Sequence, residues 1–247
     1  MQNENPDTKL SLWQLIKEDF TVPKLNDPAL ESVTELFFSY PGVWAIINYR
    51  IANRFYNNNW KTMARIIRGF SQFLTHMDIH PACTIGRRVF IDHGIGVVIG
   101  ATTIIEDDVL IYQGVTLGGV SLNKGKRHPT IKSNSVIGSG AKVLGNITIG
   151  ENAKIGANSV VICDVPDNCT AVGVPAKIIR REVEKGCKLE HANLPDITKE
   201  MFTYLLERIT VLEQTLREKN LIDTSAKDKE LEDVYEKFVQ AMNSITK

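Results

Sequence analysis

The sequence predicts an α+β protein in three parts: an N-terminal α-helical domain over residues 1–77, a left-handed parallel β-helix of hexapeptide repeats over 78–180, and C-terminal helices, in part coiled coil, over 181–247. Three observations carry that prediction. Apolar residues recur at helical spacing before position 77, an aliphatic residue recurs at every sixth position through the middle, and a heptad-spaced apolar stripe follows near the end.

Composition bounds the rest. The 247 residues are enough to bury a sizeable core, and 29 basic side chains balance 29 acidic ones. That balance argues against nucleic acid as a partner, because such proteins carry a basic excess or stripe. No apolar run approaches the roughly 18–20 residues of a membrane span. Met1-Gln2-Asn3-Glu4 opens without the basic and apolar stretches of a signal peptide. Cys83, Cys163, Cys169 and Cys187 form no CxxC pair and no metal-ligand spacing, so reduced thiols in the cytoplasm are expected.

In the first zone, Asp27-Pro28 predicts a helix start, with Asp27 as N-cap and Pro28 at the first helical position. Tyr40-Pro41-Gly42 stops that helix. Val43, Ile46, Ile47, Ile51 and Phe55 continue an apolar face up to Asn57-Asn58-Asn59, and Met63, Ile66, Ile67, Phe70 and Leu74 make another.

The second zone has a different period. Ile99, Ile105, Ile111 and Leu117 are spaced by six, as are Ile131, Ile137, Val143, Ile149, Ile155 and Val161, while Ile85 and Ile91 keep the step in another phase. A period of six fits neither an α-helix nor a simple alternating strand. It fits one short strand per hexad with a tight turn between, three hexads closing a coil that rises by roughly 4.8 Å. One coil cannot bury its own interior, so several must stack. Between Leu117 and Ile131 the step is 14 rather than 12, which predicts a polar loop thrown out over 118–129.

In the third zone Phe202, Leu205, Ile209, Leu212 and Leu216 step by 3, 4, 3 and 4, a short heptad seam able to add to an existing oligomer. Leu231, Val234, Tyr235, Phe238 and Met242 predict a second amphipathic stretch.

The candidate chemistry narrows quickly. The histidines are His76, His80, His93, His128 and His191, with no His-x4-His pair inside the coils, so no metal is expected. Gly119 to Gly125-Lys126 misses the phosphate-loop pattern, with five residues between the glycines and Arg127 after the lysine. The basic loop still suits an anionic ligand. The sharpest constellation is Asp78-Ile79-His80-Pro81, Asp92-His93-Gly94, Gly118-Gly119 and Arg127-His128-Pro129.

With DIHP at 78–81, DHGIGVVIG at 92–100, YQGVTLGG at 112–119, KRHPTI at 126–131, GSGAKVLGN at 138–146 and GVPAK at 173–177, the chain resembles the serine O-acetyltransferases over roughly residues 27–177. Moving acetyl from a thioester to an alcohol requires the hydroxyl proton to leave as the bond forms, work suited to a histidine held by a carboxylate. The resemblance implies His93 as that base and Asp78 as its partner. Serine is a zwitterion: Arg127 can fork onto its carboxylate and Asp92 can receive its ammonium, and the resemblance adds His128 and Asp27. It implies acetyl-CoA as cosubstrate along the coil edge, with Gly119, Gly140, Ala141, Ala157 and Lys177 as contacts, and sites shared between subunits of a homotrimer or a dimer of trimers.

Ala101 departs from the pattern, standing where the family commonly has glutamate. Many members end in an isoleucine that enters cysteine synthase; this chain ends Ser244-Ile245-Thr246-Lys247, which argues against that complex. The expected reaction makes O-acetyl-L-serine. Alternatives are transfer to homoserine or a sugar, a choice that one methylene decides by only about 1–3 kcal/mol, and a non-catalytic scaffold.

Overall fold

The computed structural model describes residues 10–180 and 197–218. The chain divides into two compact units, 1–194 and 195–247.

The first unit begins with α1 (Leu12–Asn26), α2 (Val33–Phe38), α3 (Pro41–Asn57) and α4 (Lys61–Thr75). Ser11 and Gln14 close a reciprocal capping box at the start of α1. Asp27 does not start a helix as expected; it ends α1, its N–H reaching the Pro23 carbonyl at 2.8 Å. Its Oδ1 does take the Ala29 N–H at 2.8 Å, so the capping bond forms, but only a single turn follows before α2 begins beyond Ser32. Pro28, Ala29 and Glu31 are exposed, and a helix there would bury no face to offset the cost of its nucleus.

Fifteen short strands follow. Sheet A holds β1 (Asp78–Ile79), β4 (Val98–Ile99), β7 (Thr116–Gly118), β10 (Lys142–Leu144) and β13 (Val160–Val161). Sheet B holds β2 (Thr84–Ile85), β5 (Ile104–Ile105), β8 (Thr130–Ile131) and β11 (Thr148–Ile149). Sheet C holds β3 (Phe90–Ile91), β6 (Leu110–Ile111), β9 (Val136–Ile137), β12 (Lys154–Ile155), β14 (Cys169–Gly173) and β15 (Ala176–Arg180). From β1 to β13 each strand passes to the next sheet, so three make one coil, and all strand pairings are parallel except β14 with β15. Ile85, Ile105, Ile131 and Ile149 stack in register as one buried column, and Ile91, Ile111, Ile137 and Ile155 as another. Each such side chain contributes about 1.5–3 kcal/mol on burial, available only once its neighbours above and below are in place.

The repeat is strict where nothing is added: Val98 pairs with Thr116 and Lys142 with Val160, each 18 residues on. It lengthens twice. Asp78 pairs with Val98 at a step of 20, because two residues are added at the corner between sheets C and A in the first coil. Thr116 pairs with Lys142 at a step of 26, because eight are added at the corner between A and B in the third coil. The loop expected from a step of 14 in place of 12 is therefore larger than the sequence suggested: Leu117 and Ile131 belong to consecutive strands, where six is the rule. The eight added residues make no rung and keep the polar composition of a solvated loop.

Helices cover one side of the coil. Val22 of α1 packs on Phe90, Leu110 and Val136, which point outward from sheet C, so both residues of β3, β6 and β9 are buried. Arg50 of α3 joins helix to coil, forking onto Asp19 at 3.1 Å and donating to the Ile85 and Gly86 carbonyls at 2.7 Å. Burial holds the Asp19 carboxyl above its ordinary range, against the pull of that guanidinium. α4 turns Ala64, Ser71 and Thr75 inward and leaves Met63, Ile66, Phe70 and Leu74 exposed, so the second apolar face of the helical zone looks outward.

The second unit contains α5 (Ile197–Glu218), which carries the heptad seam with Leu205, Ile209 and Leu212 about half exposed. The amphipathic stretch from Leu231 to Met242 lies outside the described residues. No helix among the described residues is long and apolar enough to cross a membrane.

Candidate active site

The two added segments hold or adjoin candidate residues of the site. His93 and Gly94 are the extra residues of the first: Ile95, Gln113 and Ser139 accept equivalent rungs from Gly114, Gly140 and Asn158, so the surplus falls just before Ile95. His93 is left-handed, with φ of 57°, and its side chain is 75% exposed. A bulge of this kind lifts an imidazole off the coil surface.

Around it lies an acidic pocket of about 160 Å³ whose lining includes Asp27, Glu35, Tyr40, Gly42, Asp92 and His93. Asp92 Oδ1 stands 3.7 Å from His93 Nε2. Tyr40 donates its hydroxyl to Asp27 Oδ2 at 2.7 Å, which aims the turn after α1 into the pocket. Burial raises the Asp92 carboxyl above its ordinary range, His93 opposes, and the Asp27 charge adds to the rise. Three carboxylates and an imidazole lining one small space suit a cationic ligand group.

Asp78 is placed differently from expectation. Arg68 of α4 forks onto both its oxygens, Nε to Oδ1 at 2.6 Å and Nη2 to Oδ2 at 2.7 Å, and no hydrogen bond joins Asp78 to His93. The Asp78 N–H donates to the Val97 carbonyl at 2.9 Å, in the segment that follows His93.

Arg127 and His128 sit at the other corner of sheet A, where the eight-residue addition rejoins the coil. His128 is 7% exposed and its ring lies against Gly100, where a Cβ would come within 1.9 Å of Cδ2. Its Nδ1 lies 2.8 Å from Thr102 Oγ1. Burial first, then the charges of Arg127 and Lys126, hold this imidazole below the ordinary histidine range. Arg127 folds its guanidinium onto the Asn123 carbonyl at 3.1 Å. Gly119 closes the loop from the other end, a Cβ there meeting the Arg127 carbonyl at 3.0 Å; it stands with Arg127 rather than with the other expected cosubstrate contacts.

Those contacts divide. Gly96, Gly114 and Gly140 stack down the C–A edge, an added Cβ on each of the first two standing 3.6 and 3.4 Å from the next Cα, so a track without side chains runs from the His93 bulge. All three hold positive φ, which glycine adopts without strain. Ala141 points into the core, its N–H bonded to the Gly138 carbonyl within the turn and its carbonyl taking the rung from Thr116, and the Gly140 N–H is bonded to Gln113. Ala157, lower on the same edge, is exposed and both its backbone groups are unengaged among the described residues. Gln113 Oε1 is buried on this edge without a partner. Lys177 is exposed on β15, opposite Val172.

Three neighbours of the site escaped sequence reasoning: Tyr40, Arg68 and Thr102. Tyr40 stands within a helix-stop signal, Arg68 on a helix read for its apolar stripe, and Thr102 beside the noted Ala101. Nothing in their spacing signals a site.

The family described as "Bacterial transferase hexapeptide (six repeats)" matches residues 128–163. A serine acetyltransferase of Synechococcus elongatus is 45% identical over 210 residues, which cover 85% of this chain and 86% of that protein. The chain belongs to the serine acetyltransferase family. Two solved serine acetyltransferases share the fold: one in complex with CoA, at 43% identity and TM-score 0.65 over 68% of this chain and 70% of that one, and that of Neisseria gonorrhoeae in complex with serine, at 39% identity and TM-score 0.65 over 68% and 69%. For a family member, the two added segments are where specificity and chemistry are to be sought.

Proposed function

We propose that the protein transfers acetyl from acetyl-CoA to the hydroxyl of L-serine, giving O-acetyl-L-serine and CoA, the first step of cysteine biosynthesis in the cytoplasm. The observation that carries the reading is that an otherwise strict repeat lengthens twice; we read the two additions as complementary halves of a zwitterion site. Relatives solved with serine and with CoA support this pair of substrates.

His93 takes the hydroxyl proton as the serine oxygen attacks the thioester carbonyl, and returns it to the sulfur as the C–S bond breaks. Asp78 is its orienting partner: each carboxylate oxygen keeps a lone pair beyond the one given to Arg68. Asp92 and Asp27 receive the ammonium. Arg127 turns its fork from Asn123 to the serine carboxylate, with His128 beside it. Acetyl-CoA follows the glycine track, its amides meeting the open backbone of Ala157 and the Gly140 carbonyl, with Gly119, Ala141 and Lys177 as the remaining expected contacts. No metal takes part.

The halves lie at opposite corners of sheet A, so one copy supplies His93 and a neighbour supplies Arg127. A homotrimer of left-handed coils completes three such sites, and the exposed stripe of α4 leaves room for a dimer of trimers. The test is a thiol-release assay over L-serine, homoserine and threonine. Preference for L-serine is expected, and CoA release with homoserine at equal kcat/KM would overturn the acceptor. Co-expressed His93→Ala and Arg127→Ala subunits should recover part of the activity that each lacks alone. No recovery would place each site within a single chain.

A further inference from the structure

The root of the eight-residue addition is held by one side chain. Thr102 Oγ1 accepts the backbone N–H of Arg127 at 3.1 Å and that of His128 at 3.2 Å. A hydroxyl has one hydrogen and two acceptor positions. With both acceptor positions filled, the hydrogen is left for His128 Nδ1, 2.8 Å away. The Thr102 N–H points to the same nitrogen at 3.3 Å. Two donors on Nδ1 leave it no proton of its own, so the ring proton must sit on Nε2. Gly100 lies against the ring, so that an added Cβ there would stand 2.0 Å from Nε2. Lys126 completes the clamp, its Nζ donating to the Thr102 carbonyl at 2.7 Å and to the Pro129 carbonyl at 3.0 Å.

We propose that Thr102 is a positioning residue of the acceptor half-site: its hydroxyl sets His128 as an Nε2–H donor and fixes the backbone from which Arg127 projects. Threonine serves here because it is at once a double acceptor and a donor, within a corner turn of the coil that does not move. An alanine or valine would free two backbone N–H groups and leave only the longer bond from the residue-102 N–H, at 3.3 Å, to hold the tautomer. The inference rests on the reading that Arg127 and His128 bind the acceptor carboxylate, but its central claim, the tautomer, does not depend on which acceptor is used.

The test uses the full-length protein and two readouts. In long-range ¹H–¹⁵N spectra of ¹⁵N-histidine protein, with the His128 signals assigned through His128→Gln, wild type should show the Nε2–H form and Thr102→Val a mixture. In steady-state assays Thr102→Val should raise the serine KM about tenfold or more and leave the acetyl-CoA KM within about twofold, while Thr102→Ser, which keeps the hydroxyl, should stay within about threefold of wild type. Should the valine protein fail to fold, Thr102→Ala replaces it. An Nδ1–H form in wild type, an unmoved serine KM in the valine protein, or a serine variant as impaired as the valine one would each overturn the proposal. If wild type does not acetylate serine, the activity reading falls and the spectra alone decide the role of Thr102.

Discussion

The two corners of sheet A differ in how tightly they hold their histidines. His93 sits on a two-residue bulge, three-quarters exposed, with an Asp92 carboxylate oxygen 3.7 Å from its Nε2. His128 is buried, with Nδ1 committed to Thr102 and its ring pressed on Gly100. A group that must take up and return a proton benefits from open access to its ligand. A group that must read a carboxylate benefits from a fixed donor that stays neutral. The same repeat thus supplies two environments, and the length of what is inserted decides which.

The largest effect should come from the exposed corner. His93→Ala is expected to lower kcat by roughly 10²–10⁴, the usual contribution of a general base, with acetyl-CoA binding retained because the side chain is outside the core. Activity within threefold of wild type would remove His93 from the chemistry. At the other corner Arg127→Lys keeps the charge and loses the fork, so the serine KM should rise about tenfold while the acetyl-CoA KM hardly moves. Equal rises would instead assign the loop to the CoA phosphates.

A matched pair of glycine changes sharpens the contrast. Gly100→Ala drives a methyl into the His128 ring and should raise the serine KM severalfold. Gly114→Ala puts a side chain on the glycine track at a φ of 69° and should raise the acetyl-CoA KM instead. If both variants shift the same constant, the glycine track and the His128 corner do not serve separate ligands. The smallest effect belongs to Tyr40→Phe, which removes one hydrogen bond to Asp27 and should raise the serine KM by about two- to threefold, with kcat unchanged.

Much of this architecture was legible from spacing. The step from Ile85 and Ile91 to Ile99 and Ile105 is out of phase by two, and that offset is the His93 bulge, visible in the sequence though its meaning was not. The loop before Arg127 was found, but its size was misjudged because a period of six does not say which strand a hexad joins. The apolar stripe of α4 was read correctly as a pattern, yet the side turned inward is the one bearing Ala64 and Ser71, since only small residues let α4 pack closely on α3. Asp27 was assigned both a cap and a ligand role; the cap failed to propagate, and Tyr40 from the next element turned its free oxygen toward the pocket.

By itself the sequence determined the repeat, the family and the residue types at the site, because a hexapeptide coil is made of local steps whose period is written directly in the chain. Only the tertiary structure decided who touches whom across coils. Arg68 reaches Asp78 from ten residues upstream because α4 lies against β1, and Thr102 holds His128 from twenty-six residues away because stacking brings successive corners into contact whatever the number of residues inserted between them. Those contacts depend on side-chain reach and on which hydrogen-bonding capacity is left over, and neither has a period to be read.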